Sequence, residues 1–439
     1  MKKPAKTSNL TLVSIIEGFF LILFVVFIIL FKDKLLTLLK KRGKFSSRHI
    51  LWIMSFCLFA LSLYIINNVS KVLYEMEDYK NEFYSTHSDQ LTPKNLNLVN
   101  KVDSSGLAFD LIDTDLSNGI INNLTAEKAK ANVLSYISDV QNDCHTDLSD
   151  LNNAKFVECA GRKISQHFYY RPGSDVAANY ANHNSDCDAS TYLMMTAANR
   201  VGIESSIVYA PGHAFFSWKD RFGNHHYWET TTNNNRGQFA DFSQSLYRKS
   251  MSPAYYNPED STFAKKLYIS LIYTQSNNKF SVEKSLESLR HNQFVSDILL
   301  YEKSQTVGLT DEDAAYLQDG LAEDFTSTDR KMALASYYLS LNNKNKAYAY
   351  LSTISHDECY QSCLHFLSKT KAYYYIIEPF YTLIESYFDK HDAKYSLDTF
   401  NFILSALFCL FVALFLAVLA HIEGRAYHKG NRLASHNDS

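Results

Sequence analysis

The sequence predicts an α+β fold within a three-span membrane protein, and three patterns lead to that prediction. Three apolar segments, residues 10–31, 50–66 and 400–422, are close to the length of about 20 residues that a bilayer-spanning helix needs. Between the second and third segments, helical spacing changes to alternation with period two over residues 203–231. Helical spacing then returns from residue 261. We therefore expect a small sheet between two helical regions.

Basic residues determine the predicted orientation of the spans. The loop of residues 32–49 holds seven lysines and arginines against one acid, Asp33. Because short basic loops stay in the cytoplasm, residues 67–399 should face the periplasm or exterior of a bacterial inner membrane. The tail of residues 423–439 should be cytoplasmic. The first segment has no small-residue cleavage site, so we interpret it as an anchor rather than a signal peptide. Its Glu17 is expected to snorkel or to face a partner helix.

Cysteine spacing indicates two local disulfides in the outer part of the chain. The candidate pairs are Cys144 with Cys159 and Cys359 with Cys363. Pairing in an oxidising compartment would leave Cys187 as the unpaired thiol. Five reduced cysteines are the alternative.

The chain between the spans divides into three predicted parts: a connector helix and loop over residues 67–122, an α+β domain over 123–260 and helical hairpins over 261–395. In the last part, Thr310 and Asp313 predict the start of a helix through a capping box. The hairpin of residues 329–354 is similar to a tetratricopeptide hairpin. A plain helical bundle that braces the α+β domain is the alternative, because the next hairpin does not keep a 34-residue period.

Three residues form a candidate nucleophile site. Cys187 lies where a polar loop becomes an apolar helix, and a helix N-terminus favours the negative charge of a thiolate. His213 begins a predicted strand and could take the thiol proton. Glu229 lies 16 residues later across a turn near Gly223, close to register with His213, and could orient the imidazole.

Neighbouring residues offer alternatives to this site. Asp186 and Asp188 could cap the helix rather than take part in chemistry. His183, His225 and His226 could replace His213 as the base or bind metal, but no CxxC or HExxH spacing supports a zinc site, so we expect no metal and no cofactor. An inert buried thiol is the remaining interpretation. Asn182 and Asn184 are candidate oxyanion donors.

The stretch of residues 156–232 resembles the core of the transglutaminase-like (papain-like) cysteine-hydrolase superfamily. The resemblance lies in Ser-Asp-Cys187-Asp, in Pro-Gly-His213-Ala-Phe-Phe-Ser-Trp and in Trp-Glu229-Thr-Thr. It is closest to the branch whose members carry tetratricopeptide repeats. The resemblance implies Cys187 as nucleophile, His213 as base and a cysteine helix packed on a small antiparallel sheet. Glu229 stands where many relatives have aspartate.

These patterns together predict a membrane-anchored cysteine hydrolase or acyltransferase acting on amide or peptide bonds. The predicted partners are the lipid bilayer, a protein or peptide substrate near the membrane surface, and a partner in a membrane complex. The net charge of −3 and the lack of a basic stripe indicate no nucleic-acid partner. A non-catalytic transglutaminase-like scaffold is the rival hypothesis, and a sensor or transporter accessory is a third.

Overall fold

The computed structural model describes residues 47–87, 105–242 except 174 and 211, 256–390 except 357, and 397–437. The first predicted span, with Glu17, and nearly all of the predicted cytoplasmic loop lie outside these residues. The chain divides into two compact units. One comprises residues 1–78, 356–361 and 379–439, and the other comprises residues 79–355 and 362–378.

The larger unit contains the predicted α+β domain. Its elements, with the long helix α1 that begins in the other unit, are α1 Ser47–His87, α2 Leu107–Ser117, α3 Asn123–Asp143, α4 Asp150–His167, β1 Tyr169–Tyr170, α5 Val176–Ala181, β2 Asn184–Ser185, α6 Cys187–Arg200, β3 Ser205–Ala210, β4 His213–Lys219, β5 His225–Glu229, α7 Thr232–Asn235, β6 Gln238–Phe239 and β7 Pro258–Glu259. The described residues thus form an α+β protein in which helices dominate.

The main sheet has five strands in the order β6-β5-β4-β3-β7, and each neighbouring pair is antiparallel. Strands β1 and β2 form a separate parallel pair. The register pairs Tyr209 with Ala214 and Phe216 with Trp228. Because successive side chains point to opposite faces of a strand, His213 and Phe215 share one face of β4. Glu229, one position beyond Trp228, falls on that same face.

Helix α6 packs against strands β3 and β4, with its first residue towards the start of β4. Its Tyr192 hydroxyl lies 3.5 Å from the hydroxyl of Tyr209 on β3. The helix begins where expected because Asp186 caps it, and it ends before Gly202, whose φ of 80° suits only glycine at a helix C-terminus. Most of α6 is buried, which makes it the central helix of the domain.

The predicted connector of residues 67–122 is wrong in its last third. Residues Leu107–Ser117 form helix α2, in which Leu107, Phe109 and Ile112 are fully buried. The Ala108 backbone N–H donates to Thr196 Oγ1 of α6 at 3.0 Å. Because turn residues lie on both sides of this segment, the sequence analysis did not recognise it as a short apolar helix of the core.

The helical region follows the sheet. Its helices are α8 Ser261–Gln275, α9 Lys279–Leu289, α10 Gln293–Thr306, α11 Asp311–Glu323, α12 Thr328–Ser340, α13 Lys344–Leu351, α14 Gln361–Thr370 and α15 Ala372–Lys390. The capping box predicted at Thr310 and Asp313 starts α11 as expected. Buried ion pairs join these helices, including Arg330 with Asp297 at 2.8 Å and Lys303 with Asp313 at 2.8 Å.

The smaller unit contains helix α16, Leu397–Asn437, and the first part of α1. Ser55 Oγ of α1 donates to the Ala413 carbonyl at 2.8 Å, and Ser62 Oγ donates to the Ala406 carbonyl at 2.7 Å. Residue numbers rise on one helix as they fall on the other, so the two helices run antiparallel. Small residues at the contact let the helix backbones approach closely, as in helix pairs within membranes.

The prediction of three spans holds only in part among the described residues. One helix there is long and apolar enough to cross a membrane, Phe400–Leu419, with 20 residues and a mean hydropathy of 3.0. The second predicted span corresponds to a shorter apolar stretch, Leu51–Asn67. This stretch is shorter than the about 20 residues that a helix rising 1.5 Å per residue needs to cross the hydrocarbon core.

Candidate active site

Cys187 is the first residue of α6, and its neighbour Asp186 is the N-cap. One Asp186 carboxylate oxygen accepts from the Ala189 N–H at 3.0 Å, and the other accepts from the Gly173 N–H at 3.2 Å. These bonds hold the loop before the helix and explain why the helix starts at this point. The Cys187 side chain is half-buried, and its thiol is free.

His213 and Glu229 form a direct hydrogen bond. His213 Nε2 lies 2.5 Å from Glu229 Oε2. The side chains expose only 8% and 2% of their surfaces, so water has little access to the contact. Gly212, with a φ of 68°, allows the tight turn that starts β4 at His213. The sheet register then brings Glu229 to the same face.

Thr231 fixes the second oxygen of the Glu229 carboxylate. Oε1 accepts from the Thr231 backbone N–H at 2.9 Å and from its hydroxyl at 2.7 Å. Burial raises the pKa of Glu229, but the hydrogen bond and charge of His213 and the Thr231 donors outweigh burial and hold that pKa below its ordinary value. Glu229 is therefore an ionised, oriented partner for the imidazole.

The Cys187 thiol is hydrogen-bonded to Asp188 rather than to His213. Its Sγ lies 3.6 Å from Asp188 Oδ1. The backbone N–H of Ala214, the residue after His213, also faces the sulfur and acts to lower the thiol pKa. Burial and Asp186 raise the pKa of Asp188, and the charge of His213 opposes that rise. The three predicted residues thus occupy one region, with Asp188 as the immediate partner of the thiol.

Carboxylates dominate the electrostatics around the thiol. Burial, followed by the charges of Asp188 and Asp186, raises the pKa of Cys187 well above its ordinary value. Burial and the charge of Asp186 raise the pKa of Asp188 to about 7. Burial also raises the pKa of Asp186, against its backbone hydrogen bonds. These groups favour a protonated thiol, whereas the helix N-terminus favours a thiolate.

The two candidate oxyanion donors have different surroundings. Asn182 is exposed, and its Nδ2 donates to the Ala178 carbonyl at 2.9 Å at the end of α5. Asn184 is buried on β2, where its Oδ1 accepts from the Tyr84 hydroxyl of α1. With Oδ1 engaged by Tyr84, Nδ2 is the atom of Asn184 suited to donating. Asn182 thus uses its Nδ2 in a bond to Ala178, whereas the bond of Asn184 to Tyr84 uses the amide oxygen.

The alternative histidines have other contacts. His183 Nδ1 lies 2.9 Å from the His167 carbonyl, His225 Nδ1 lies 2.9 Å from Ser217 Oγ, and His226 Nε2 lies 3.2 Å from Asp220 Oδ2. In the part of the chain that the structure describes, no three His, Cys, Asp or Glu side chains converge as a metal site would require.

A buried polar network lies under the start of α6, and the sequence analysis did not find it. Asn235 Nδ2 donates to Ser185 Oγ at 2.9 Å and to the Phe168 carbonyl at 3.1 Å. Ser185 Oγ in turn lies 2.8 Å from Ser190 Oγ. Asn235 has a φ of 63°, a conformation that asparagine adopts more readily than most residues. The run of asparagines after Glu229 was the signal that could have indicated it.

The cysteines outside the thiol site are largely disulfide-bonded. Cys144 and Cys159 form a disulfide with a Cα–Cα distance of 5.6 Å that joins the end of α3 to α4. Cys359 and Cys363 are also disulfide-bonded. Among the described cysteines, Cys57, Cys187 and Cys409 are free thiols, and Cys187 is the one that lies in the α+β domain.

Comparison of the chain with protein-family models, with curated proteins and with solved structures gives no match. The geometry of the site and the motifs of the sequence are therefore the basis for a functional proposal.

Proposed function

We propose that this chain is a membrane-anchored cysteine hydrolase or acyltransferase that cleaves amide or peptide bonds through Cys187, His213 and Glu229. The observation that carries the proposal is the buried 2.5 Å bond between His213 and Glu229, beside a free thiol at a helix N-terminus. A base held by a buried carboxylate next to a nucleophile is the arrangement that thiol catalysis requires.

The reaction would proceed in two halves. The Cys187 thiol gives its proton to His213, and the sulfur attacks the carbonyl carbon of the substrate amide. The tetrahedral intermediate then expels the amine, which takes the proton from His213 and leaves a thioester on Cys187. Water or a second amine, deprotonated by His213, attacks the thioester and regenerates the thiol. Water as the acceptor gives hydrolysis, and an amine gives acyl transfer.

Glu229 would determine the orientation and tautomer of the imidazole. Because its Oε2 engages Nε2, the proton from the thiol passes to Nδ1 on the other side of the ring. The Glu229 charge stabilises the imidazolium that forms. Thr231 keeps the carboxylate in place through two bonds to Oε1.

The developing oxyanion needs hydrogen-bond donors at the N-terminal end of α6. The backbone N–H of Cys187 is one candidate, because the first N–H groups of a helix have no partner within the helix. The Asn184 amide is a second, since Tyr84 engages its Oδ1. Each such donor is worth on the order of 10²-fold in rate in acyl-transfer enzymes.

The observed arrangement of α6 against an antiparallel sheet supports the proposed relationship to the transglutaminase-like superfamily. In that family pattern the nucleophile begins a helix and the base begins a neighbouring strand. Cys187 and His213 occupy these positions. Glu229 replaces the usual aspartate and still bonds the histidine, so the longer side chain does not argue against the relationship.

The outward-facing location is also part of the proposal. The disulfide of Cys144 and Cys159 is typical of an oxidising compartment such as the periplasm. Phe400–Leu419 is a candidate membrane anchor, and serine-to-carbonyl bonds pair α16 with the apolar part of α1. An anchored enzyme of this kind would act on proteins or peptides near the membrane surface.

A non-catalytic scaffold is the second candidate, and one observation favours it. The thiol donates to Asp188, and burial together with nearby carboxylates raises the pKa of the thiol, whereas working catalytic cysteines usually have a lowered pKa. In that case the domain would bind a partner in a membrane complex, and Cys187 would be dispensable.

The test is mechanism-based labelling of the full-length protein in membranes. A peptidyl chloromethyl ketone should alkylate Cys187 at neutral pH, as read by mass spectrometry of the peptide that contains it. His213→Gln should lose most of this labelling, because the base is gone. A matched control is His145→Gln, since His145 is exposed. Equal labelling of Cys187 in the wild type and His213→Gln would favour the scaffold.

A further inference from the structure

Asp188 is the group in contact with the thiol that the Cys187, His213 and Glu229 mechanism does not use. Its Oδ1 accepts the Cys187 S–H at 3.6 Å. Unlike Asp186, whose two oxygens accept backbone N–H groups from Ala189 and Gly173, Asp188 is not required as the N-cap of α6. A role in capping therefore explains Asp186 and leaves Asp188 unexplained.

The groups that face Asp188 come from two packed elements besides α6. On α6 they are Asp186, Cys187 and the Tyr192 hydroxyl. The hydroxyl of Tyr209 lies on β3, and the charges of Asp188 and of Glu259 on β7 both act on it. From β4 comes His213, the one basic group among them. The surroundings of Asp188 are thus mainly acidic and phenolic.

We propose that Asp188 is a positioning residue that holds the Cys187 thiol protonated while Asp188 itself is ionised, so that thiolate formation at this site becomes easier when Asp188 gains a proton. The thiol can donate to a carboxylate, but a thiolate beside that carboxylate is repelled. When Asp188 is protonated, it becomes the donor and the sulfur becomes the acceptor, which stabilises the thiolate.

Asp188 changes its protonation near neutral pH, where its charge could control the ionisation of the Cys187 thiol. Burial and the neighbouring Asp186 raise its pKa to about 7, so its protonation changes between mildly acidic and mildly basic solution. Burial, Asp188 and Asp186 raise the pKa of the Cys187 thiol, so the thiol would ionise more readily once Asp188 is neutral. The penalty that the Asp188 charge places on the thiolate should accordingly grow as pH rises from mildly acidic to mildly basic.

This role deepens the proposed function and rests on Cys187 being its nucleophile. The thiol itself can be studied without a substrate, since iodoacetamide reacts with the thiolate and needs neither His213 nor an acyl group. Failure of the Asp188 role and failure of the acyl-transfer chemistry are therefore separate outcomes.

The experiment measures the rate of iodoacetamide alkylation of Cys187 in the full-length protein at pH 6.0 and pH 8.0. Mass spectrometry of the Cys187 peptide separates it from Cys57 and Cys409. Asp188→Asn should raise the rate at pH 8.0 by about fivefold or more, because losing one adjacent charge shifts a pKa by about a unit. At pH 6.0 the variant and the wild type should agree within about twofold.

Two further variants complete the comparison. Asp188→Glu keeps the carboxylate and should keep the slow rate at pH 8.0. Glu204→Gln removes the same charge at the far end of the sheet, where Glu204 pairs with Lys219, and should leave both rates unchanged. If Asp188→Asn lacks a cooperative unfolding transition, Asp188→Ser is measured in its place with the same expectation. The proposal would be overturned if a folded Asp188→Asn or Asp188→Ser variant showed the wild-type rate of Cys187 alkylation at pH 8.0.

Discussion

His213 and Glu229 lie on adjacent antiparallel strands, 16 residues apart in the chain, with Nε2 of one 2.5 Å from Oε2 of the other. Both side chains are almost fully buried. The pair holds a fixed imidazole at the start of β4, one residue from the backbone N–H that faces the Cys187 sulfur. This relationship turns a free cysteine at a helix start into a candidate nucleophile.

Glu229→Gln should lower the labelling or acylation rate of Cys187 by about 10²-fold or more. An amide keeps the size of the side chain but removes the charge that stabilises the imidazolium. Glu204→Gln, an exposed glutamate on the same domain, serves as the control. A Glu229→Gln rate within threefold of the wild type would mean that Glu229 has only a structural role.

The stability contributed by Glu229 should disappear in acid. Its pKa in the folded protein lies below its ordinary value, so the unfolded chain binds the proton more tightly. The stabilisation is therefore complete above the unfolded pKa of about 4.3 and is lost as pH falls through the lower folded pKa. The free energy of unfolding of the wild type, minus that of Glu229→Gln, should shrink between pH 6 and pH 3. A difference independent of pH would contradict an ionised Glu229.

Gly161→Ala should destabilise the domain by about 1–3 kcal/mol. A Cβ at Gly161 would overlap Nε1 of Trp228, which is buried and precedes Glu229 on β5. The indole would have to move and would shift β5 with it. Chemical denaturation measures the loss, and Lys155→Ala at an exposed position of the same helix is the control. Unchanged stability would show that Trp228 does not pack against α4.

Removing the disulfide of Cys144 and Cys159 should cost about 3 kcal/mol, the value for closing a loop of about 15 residues. In denaturant titrations the Cys144→Ser, Cys159→Ser double variant should show this loss against the oxidised wild type, and adding reductant should cost the variant less stability than it costs the wild type. Cys57→Ser, at a free cysteine of α1, is the control for the substitution itself. Equal stability of oxidised and reduced protein would contradict this bond.

The antiparallel pairing of α1 and α16 can be tested by cross-linking. With Cys57 and Cys409 replaced by alanine, the pair Ser62→Cys and Ala406→Cys should form a disulfide under mild oxidation, because Ser62 Oγ lies 2.7 Å from the Ala406 carbonyl. Moving the first cysteine to Leu63, which is exposed, should abolish the cross-link. Equal cross-linking of both pairs would contradict the register.

The position of the site could be predicted because its signals are local. A polar loop followed by an apolar run predicts a helix that begins at Cys187, and Gly223 between two alternating runs predicts the hairpin that brings Glu229 towards His213. Strand register then follows from chain length. These three positions needed no knowledge of tertiary contacts.

The contacts within the site and the burial of helix α2 depend on side-chain packing, which no local sequence pattern specifies. Nothing in the order of Cys187 and Asp188 indicates that the thiol donates to its own neighbour. The Asn235 network joins residues about 50 positions apart, and a period or a cap cannot reveal it. Helix α2 was missed because eleven residues between turns resemble a connector until their burial is known.

The most direct test of whether His213 activates the Cys187 thiol is the single-turnover acetylation of Cys187 by p-nitrophenyl acetate. Mass spectrometry of the Cys187 peptide reports the thioester, and stopped-flow absorbance reports its rate. We expect acetylation of Cys187 in the wild type and a rate about 10²- to 10⁴-fold lower in His213→Gln, since general-base catalysis contributes about that much. An acetylation rate of Cys187 that is the same in both proteins would contradict the claim that His213 activates this thiol.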